Sequence, residues 1–405
     1  MAEQFSFKIT HKDSHSKARA GIIHTAHGSI ETPYLIPVAT RSEIIALSQE
    51  DLAALKPQAI LANTYHLHFM PPGDQEIKRL GGLHKKMNFS KPLFTDSGGF
   101  QALSLGFGKI SKLRKIGFFP NQNPINLEKN ENSFVKLTDK GIFFRSIYNE
   151  EIEEFMDAEK SMKIQSNLGA DIIMAFDQCN PPGQTEEETK KAMEISHRWE
   201  IESLKYKDPQ QALYGIVHGG AYPKLREQSA NFIASLPFDG IAIGGSLGNT
   251  KSDMYSLLQG TIDNLKDVDH KPRHMLGIGW VDDLFECVSR GMDTFDCVQT
   301  TRIARHGNLL VSPISGGTKA NKFKIKIRRG IHSSDKNPID SWCSCSTCKK
   351  YSRSDIFNLH KSKDPLYAKL ATIHNISFMI KLSEEIKNSI KENRFGELKK
   401  EWLNS

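Results

Sequence analysis

Three cysteines crowd into six residues of this sequence, at Cys343, Cys345 and Cys348, and His374 follows them. Three thiolates and one imidazole form a closed tetrahedral set that suits structural zinc and leaves no position open for catalysis. In a long chain, such a cluster is more typical of a metal site than of a disulfide framework. We therefore expect one structural Zn²⁺ per chain, with His360 as the other candidate for the fourth ligand.

Two aspartates stand just after apolar runs, and a pair of carboxyl groups suits glycosyl chemistry. Asp96 precedes two glycines, whose backbone can approach a ligand closely, and Asp296 follows a later run. In such a pair, one carboxylate attacks or shields the anomeric carbon and the other exchanges a proton. Asp177, at the end of another run, is a third candidate. The simpler alternatives are a helix cap at Asp96 or Ser97 and a cap or an ion pair at Asp296.

Basic residues gather after the second aspartate. Lys and Arg number 54 against 47 Asp and Glu, a formal net charge of +7 that permits a polyanionic partner without proving one. Lys322, Lys324 and Lys326 alternate with apolar residues, so a strand there has one cationic and one apolar face. A solvated edge strand and phosphate binding explain this alternation equally well.

Short apolar runs alternate with helical patterns through three quarters of the chain, and polar or glycine residues follow each run. A (β/α)₈ barrel builds its active site at such strand ends. A doubly wound sheet also places ligands there, but no GxGxxG motif opens a first helix. The sequence therefore predicts an α/β fold, a (β/α)₈ TIM barrel with an inserted zinc-binding subdomain. The runs are 59–62, 93–94, 172–176, 213–217, 241–243, 275–278 and 294–295.

The 405 residues have an ordinary globular composition, with 38% hydrophobic and 25% charged residues, which excludes collagen-like, coiled-coil and wholly disordered chains. We expect a barrel over residues 1–330 with an insertion at about 117–136, a zinc-binding subdomain over 331–374, and a C-terminal helix over 375–405 that packs back on the barrel. No stretch approaches the ~20 apolar residues of a membrane span, and the start of the chain has no signal-peptide core. We therefore expect a cytoplasmic protein without membrane contact.

Several motifs, in this order and spacing, resemble the tRNA-guanine transglycosylases, also called queuine tRNA-ribosyltransferases, and among them the bacterial type. The resemblance extends from about Phe5 to about Trp402. Beside the cysteine and histidine set, the motifs are Asn63-Thr-Tyr-His-Leu67, Thr95-Asp-Ser-Gly-Gly-Phe-Gln101, Ala158-Glu-Lys-Ser161, Met174-Ala-Phe-Asp177, Gly215-Ile-Val-His-Gly-Gly220, Ala242-Ile-Gly-Gly245, Phe295-Asp-Cys297 and Thr301-Arg-Ile-Ala-Arg305.

The resemblance implies a pentosyltransferase that exchanges the guanine at the tRNA wobble position for a 7-deazaguanine, on the way to queuosine. It implies that Asp296 is the nucleophile, which forms a glycosyl-aspartate intermediate, and that Asp96 is the general acid/base. The family is commonly homodimeric, so tRNA, a 7-deazaguanine base and a second copy are the expected partners.

The same resemblance assigns the contacts to the base and to the RNA. Asp177 reads the Watson-Crick edge of the flipped guanine, and Phe100 stacks on it opposite Leu276. The expected base-binding residues are Ser97, Gly98, Gly99, Phe100, Asp177, His218, Gly244, Gly245 and Leu276. The expected RNA-binding residues are Gly277, Ile278, Gly279, Trp280, Val281, Asp282, Asp283, Thr301, Arg302, Ile303, Ala304 and Arg305.

Some positions depart from the family pattern. His218 stands where the family has Gln, and its protonation would make affinity pH-dependent. Gln178 replaces an acid. At positions 245–250 the family pattern is Gly-Leu-Ala-Val-Gly-Glu. Here Gly248 stands in place of Val, as it does in family members that accept queuine. Thr250 stands in place of the Glu that is expected to pair with an aminomethyl cation. We hypothesise that queuine is preferred, or that both bases are accepted.

Two other functions compete with the transglycosylase. A non-catalytic RNA-binding subunit retains the barrel and zinc without the acids, but this chain has both Asp96 and Asp296. A glycosidase for small substrates leaves the zinc ligands, Arg302 and Arg305 unexplained.

Overall fold

Eight parallel strands form the centre of the computed structural model, which describes residues 5–106, 134–245 and 247–404. From the second strand to the last, each strand pairs with the next in chain order, and the first pairs with the last, while an isolated bridge between Val38 and Leu61 joins the first two. The predicted α/β barrel is therefore confirmed. The strands are Tyr34–Ile36, Ile60–Ala62, Leu93–Thr95, Ile172–Met174, Ala212–Val217, Gly240–Ile243, Arg273–Met275 and Thr294–Asp296.

The ring of strands closes through main-chain bonds of Leu61. Its N–H donates to the carbonyl of Pro37 at 3.0 Å, and its carbonyl accepts from the N–H of Ala39 at 2.8 Å. Closure removes the free sheet edges that would otherwise expose unpaired backbone groups. All strand carboxyl ends therefore meet at one rim.

Helices follow the strands and cover the barrel. The predicted capping box is present at Thr185, whose side chain accepts from the N–H of Glu188, and the helix that it starts buries Ala192 and Trp199. These helices are Gln49–Leu55, Thr64–Phe69, Gly73–Arg79, Gly82–Met87, Gly99–Gly106, Ala158–Leu168, Glu186–Tyr206, Pro223–Ala234, Lys251–Asp263, Val281–Val288 and Gln299–Arg305.

Among the described residues, three small sheets lie outside the barrel. The first joins it through a buried ion pair, in which Arg19 donates to both carboxylate oxygens of Asp293 at 2.8 and 2.6 Å. The predicted insertion at 117–136 falls almost wholly outside the described residues. The sheets comprise Ser6–Lys12, Arg19–Thr25 and Gly28–Thr32; Val135–Leu137, Ile142–Arg145 and Glu153–Met156; and Asn308–Leu310 with Lys324–Lys326.

One long helix, Pro365–Lys391, connects the cysteine-rich segment to the barrel. Its Asn375 side chain accepts from the N–H of Leu310 and donates to the carbonyl of Thr300, and its Ser383 hydroxyl accepts from the N–H of Leu35. The expected boundary at residue 374, between the zinc-binding subdomain and the C-terminal helix, falls inside this helix. The division of the chain into barrel, zinc-binding subdomain and C-terminal helix stays a prediction. The remaining helices are Ser346–Lys350, Arg353–Lys361 and Phe395–Leu403, with single 3₁₀ turns at Lys266–Val268, Pro313–Ser315 and Gly330–His332.

A membrane span requires a helix both long and apolar, and none within the described ranges meets that requirement.

Candidate active site and metal centre

A cavity of about 500 Å³ opens at the carboxyl ends of the strands. It gathers side chains from loops that are far apart in sequence, as a barrel mouth does. The predicted site residues that line it are Asp96, Ser97, Phe100, Asp177, Gly244, Gly245, Leu276, Gly277, Asp296 and Arg302.

Asp296 ends its strand with one carboxylate oxygen held in place. Oδ1 accepts from the N–H of Gly277 at 2.9 Å and lies 3.2 Å from Nε2 of His274. The other ring nitrogen of His274 lies 2.9 Å from the hydroxyl of Thr294, which can donate to it and leave Nε2 protonated. His274 is fully buried. Sequence reasoning missed this residue, which lies just before the predicted apolar run at 275–278.

Asp96 is held by the loop after the neighbouring strand. Its Oδ1 accepts from the N–H of Thr64 at 2.8 Å, and its Oδ2 accepts from the side-chain amide of Asn63. Burial and the charges of Asp296 and Asp177 raise the pKa of Asp96, the bond from the Thr64 N–H opposes them, and the resulting pKa is about 7. A carboxyl group with a pKa near neutrality can both donate and accept a proton. Asn63 and Thr64 were quoted in a motif but not assigned a role.

Asp177 and His218 form a buried pair at the back of the cavity. Ser97 donates to Oδ1 of Asp177 at 2.9 Å, and Nε2 of His218 lies 3.5 Å from Oδ2. Burial raises the pKa of Asp177 to about 6 and lowers that of His218 to about 3. His218 is therefore neutral at physiological pH, so the expected pH dependence does not come from its protonation.

A side chain at Gly99 would not fit beside this pair. A Cβ atom there would lie 2.3 Å from the carbonyl oxygen of Asp177, so only glycine lets the two loops approach this closely. Of the predicted base-binding residues, Gly98, Gly99 and His218 do not line the cavity, so their contact with the base stays a prediction.

The predicted metal ligands come together at one point. Single ligand atoms of Cys343, Cys345, Cys348 and His374 all lie within 4.8 Å of one another, so the cluster could hold a metal ion. Nδ1 of His374 lies 3.2 Å from Sγ of Cys348, while Nε2 lies 2.7 Å from the carbonyl of Leu310. That carbonyl fixes the tautomer that turns the Nδ1 lone pair toward the thiols. His360 packs instead against Tyr367, which decides between the two histidines.

Sequence comparison agrees with this geometry. The family model described as queuine tRNA-ribosyltransferase matches residues 13–405. The chain belongs to this family. It is 48% identical to a protein of Archaeoglobus fulgidus over 403 residues, 98% of each chain. The queuine tRNA-ribosyltransferase of Roseiflexus sp. is 42% identical over 98% of this chain and 99% of its own, and that of Staphylococcus haemolyticus is 41% identical over 96% and 93%. The expected family and enzyme class, a tRNA-guanine transglycosylase, are confirmed.

Arg226, which sequence reasoning missed, supports the wall of the cavity from behind. It is almost completely buried, and its guanidinium donates to the carbonyls of Gly220 at 2.7 Å and Gly244 at 3.0 Å. Burial lowers its pKa to about 9, so it remains charged at neutral pH. By joining the loops that follow two adjacent strands, it fixes the orientation of the Gly244 peptide at the cavity wall.

The expected RNA-binding stretches are only partly accessible. Arg302 lines the cavity, and Trp280 lies beneath two lysines, with the Lys322 and Lys324 ammonium groups 5.9 and 4.9 Å from its ring centre. Asp283 is buried and pairs with Lys251 at 2.8 Å. The accessible members are Gly277, Trp280, Asp282, Arg302, Ile303 and Arg305, whereas Ile278, Gly279, Val281, Asp283, Thr301 and Ala304 are buried.

Gly248 and Thr250, the two departures from the family pattern that suggested the use of queuine, both have roles in the local backbone structure. Thr250 caps the helix Lys251–Asp263 by accepting from the N–H of Asp253. Gly248 has a φ of +94°, and a Cβ there would lie 2.5 Å from that of Asp253. The turn that starts the helix therefore requires glycine at 248, whichever base is bound.

We predict that Asp96→Asn stabilises the protein more at pH 8 than at pH 5. Since the native pKa of Asp96 is about 7 and that of an unfolded aspartate is about 3.9, the native state holds an extra proton between those values. Wild-type stability should fall as pH rises through this window, by at most about 1.4 kcal/mol per pH unit. Asparagine does not titrate and escapes this loss.

Urea unfolding of both proteins at the two pH values measures the difference. Asp267→Asn, at an exposed aspartate, is the matched control and should show no such contrast. An equal effect of Asp96→Asn at pH 5 and pH 8 would contradict the assigned environment.

Proposed function

We propose that this enzyme exchanges the wobble guanine of tRNA for a 7-deazaguanine through a covalent intermediate on Asp296. The observation that carries the proposal is the cavity that Asp96 and Asp296 share, since two carboxyl groups in different environments can take different roles. A non-catalytic RNA-binding subunit would have no need of this pair.

In the first step, Asp296 attacks the ribose. Oδ1 is engaged by Gly277 and His274, so we assign the attack on C1′ to Oδ2. The C1′–N9 bond breaks as the Oδ2–C1′ bond forms, and guanine leaves with the bonding electrons and takes up the proton that Asp96 donates, which leaves Asp96 ionised for the second step. Asp177 and the Gly244-Gly245 backbone hold the flipped base, with Phe100 and Leu276 on its two faces.

In the second step, Asp96 accepts the N9 proton of the incoming base. The deprotonated nitrogen attacks C1′ and displaces the carboxylate of Asp296, so the configuration is retained after two displacements. A native pKa near 7 equips Asp96 to accept this proton and to release it afterwards.

We assign zinc to the cluster of Cys343, Cys345, Cys348 and His374. Three thiols and an imidazole match a closed structural site, and the Leu310 carbonyl supplies the outer contact that orients the histidine. Bound zinc would fix the cysteine-rich segment onto the long helix, with no part in the reaction.

The tRNA anticodon loop would lie across the rim of the cavity. Arg302, Arg305 and the lysines over Trp280 provide cationic groups for its phosphates, while Trp280 offers a ring face. A homodimer, which the family resemblance implies, and a cytoplasmic location complete the proposal.

For the incoming base, we propose that queuine is accepted at least as well as the aminomethyl base. The support is the absence of a carboxylate at Thr250, since Gly248 is explained by its turn.

Trapping with unmodified tRNA should give a protein–RNA adduct that survives denaturation in the wild type and is missing in Asp296→Asn. Asp96→Asn should still form the adduct but resolve it slowly, because asparagine cannot accept the N9 proton of the incoming base. Denaturing gel electrophoresis reads both results, and Asp267→Asn should behave as the wild type. A wild type that neither forms an adduct nor exchanges guanine would defeat the proposal.

Cys345→Ser should lose its zinc and lower the unfolding temperature more than Asp296→Asn does, because loss of a structural metal site forfeits folding free energy. Metal analysis and thermal unfolding check this, with Cys179→Ser as a variant that retains zinc. Equal unfolding temperatures for Cys345→Ser and Asp296→Asn would show that the cluster carries no structural metal.

Incorporation of labelled queuine and labelled aminomethyl base into unmodified tRNA tests the choice of base. Thr250→Asp retains a capping side chain and adds a carboxylate, so it should shift the ratio toward the aminomethyl base by about two- to fivefold, the value of one exposed ion pair. Asn249→Asp is the control for added charge. Exclusive use of the aminomethyl base by the wild type would refute the proposed preference.

A further inference from the structure

A second group of potential metal ligands lies at the opposite end of the barrel. His27 lies in the turn between the strands Arg19–Thr25 and Gly28–Thr32, His84 in the helix Gly82–Met87, and Asp171 just before the strand Ile172–Met174. Single ligand atoms of the three residues lie within 4.8 Å of one another. Neither the reaction nor the cysteine cluster uses them.

The hydrogen bonds of His84 determine where its lone pair points. Nδ1 lies 2.9 Å from the carbonyl of Phe89, which can only accept, so Nδ1 carries the hydrogen. Nε2 is buried and makes no hydrogen bond to any described residue, yet it lies 3.3 Å from Oδ2 of Asp171. In the neutral ring this places a lone pair against a carboxylate oxygen. The contact is unfavourable unless a cation lies between the two atoms.

The separation between His84 Nε2 and Asp171 Oδ2 is longer than a charge-assisted hydrogen bond, whereas His27 Nδ1 is hydrogen-bonded to Asp171 Oδ1 at 2.7 Å and would have to turn its ring to bind an ion. A charge-assisted N–H···O bond is about 2.7–2.9 Å long, shorter than the distance here. Two ligands each about 2.1 Å from a tetrahedral zinc ion lie about 3.4 Å apart. The 3.3 Å between His84 Nε2 and Asp171 Oδ2 therefore matches the edge of a metal site.

His27 completes the group from the solvent side. Its Nδ1 lies 2.7 Å from Oδ1 of Asp171, its ring stacks on that of His84 with centres 3.6 Å apart, and its side chain is 42% exposed. The Asp171 carboxylate is itself buried and fixed by the N–H of Leu93 at 2.9 Å. One ligand is thus rigid and buried, while another can adjust its ring to an arriving ion.

We propose that His84, Asp171 and His27 bind a divalent transition-metal ion of the zinc class, as a structural site separate from the cysteine cluster. Imidazole and carboxylate are ligands that zinc accepts, with water in the remaining position. The ion would join the N-terminal hairpin, the helix Gly82–Met87 and a barrel strand. At the amino-terminal face of a barrel, such a link serves stability.

Metal content and thermal unfolding in the presence of Zn²⁺ test the proposal on the full chain. The wild type should bind two ions and unfold at a higher temperature as zinc exceeds one equivalent. His84→Gln should bind one ion and lose that second increase. His27→Ala, at an exposed turn, should weaken the second site at least tenfold, while His24→Ala, an exposed histidine of the same hairpin, should retain both ions.

Three results would overturn the site. The first is a single bound ion in the wild type. The second is two ions bound with unchanged affinity in both His84→Gln and His27→Ala. The third is an unfolding temperature that depends on pH and not on added zinc. Cysteine-cluster zinc is counted separately through Cys345→Ser, which should still bind the second ion.

Discussion

Closure of the barrel at Leu61 is the constraint on which the reactive centre depends. The strand that ends at Asp296 pairs with the strand Tyr34–Ile36. The residues just after Tyr34–Ile36 bond in turn to Leu61. The strand Ile60–Ala62 in turn pairs with the strand that leads to Asp96. The closing seam therefore lies between the two carboxyl groups. The spacing of the strands that carry them is set by main-chain hydrogen bonds.

The same arrangement divides the acids by environment. Asp296 receives a main-chain N–H and a histidine, whereas Asp96 lies within reach of two other carboxylates, and its pKa rises to about 7. The Asp296 side chain is only 14% exposed and Asp96 is half-buried, so solvent screens these differences less than it would at the surface. One group is thereby suited to attack carbon and the other to exchange a proton, although both are aspartates.

Much of this was visible in the sequence, and the rest depended on contacts between distant segments. Apolar runs followed by polar residues located seven strands, but Tyr34–Ile36, short and adjacent to a hairpin, escaped notice. The choice between His374 and His360 needed the fold, as did the roles of His274 and Arg226, whose partners come from other elements. Family comparison led us to explain Gly248 by the ligand, whereas a helix start already requires it.

The helix Pro365–Lys391 carries His374 near one end and, nine positions on, the Ser383 hydroxyl that accepts from Leu35. Each helical residue turns the chain by about 100°, so both contacts can form only if the number of residues between them keeps the two side chains in phase. A single inserted or deleted residue would rotate one contact away from its partner. The length of this segment is therefore subject to a stricter requirement than the identity of most residues within it.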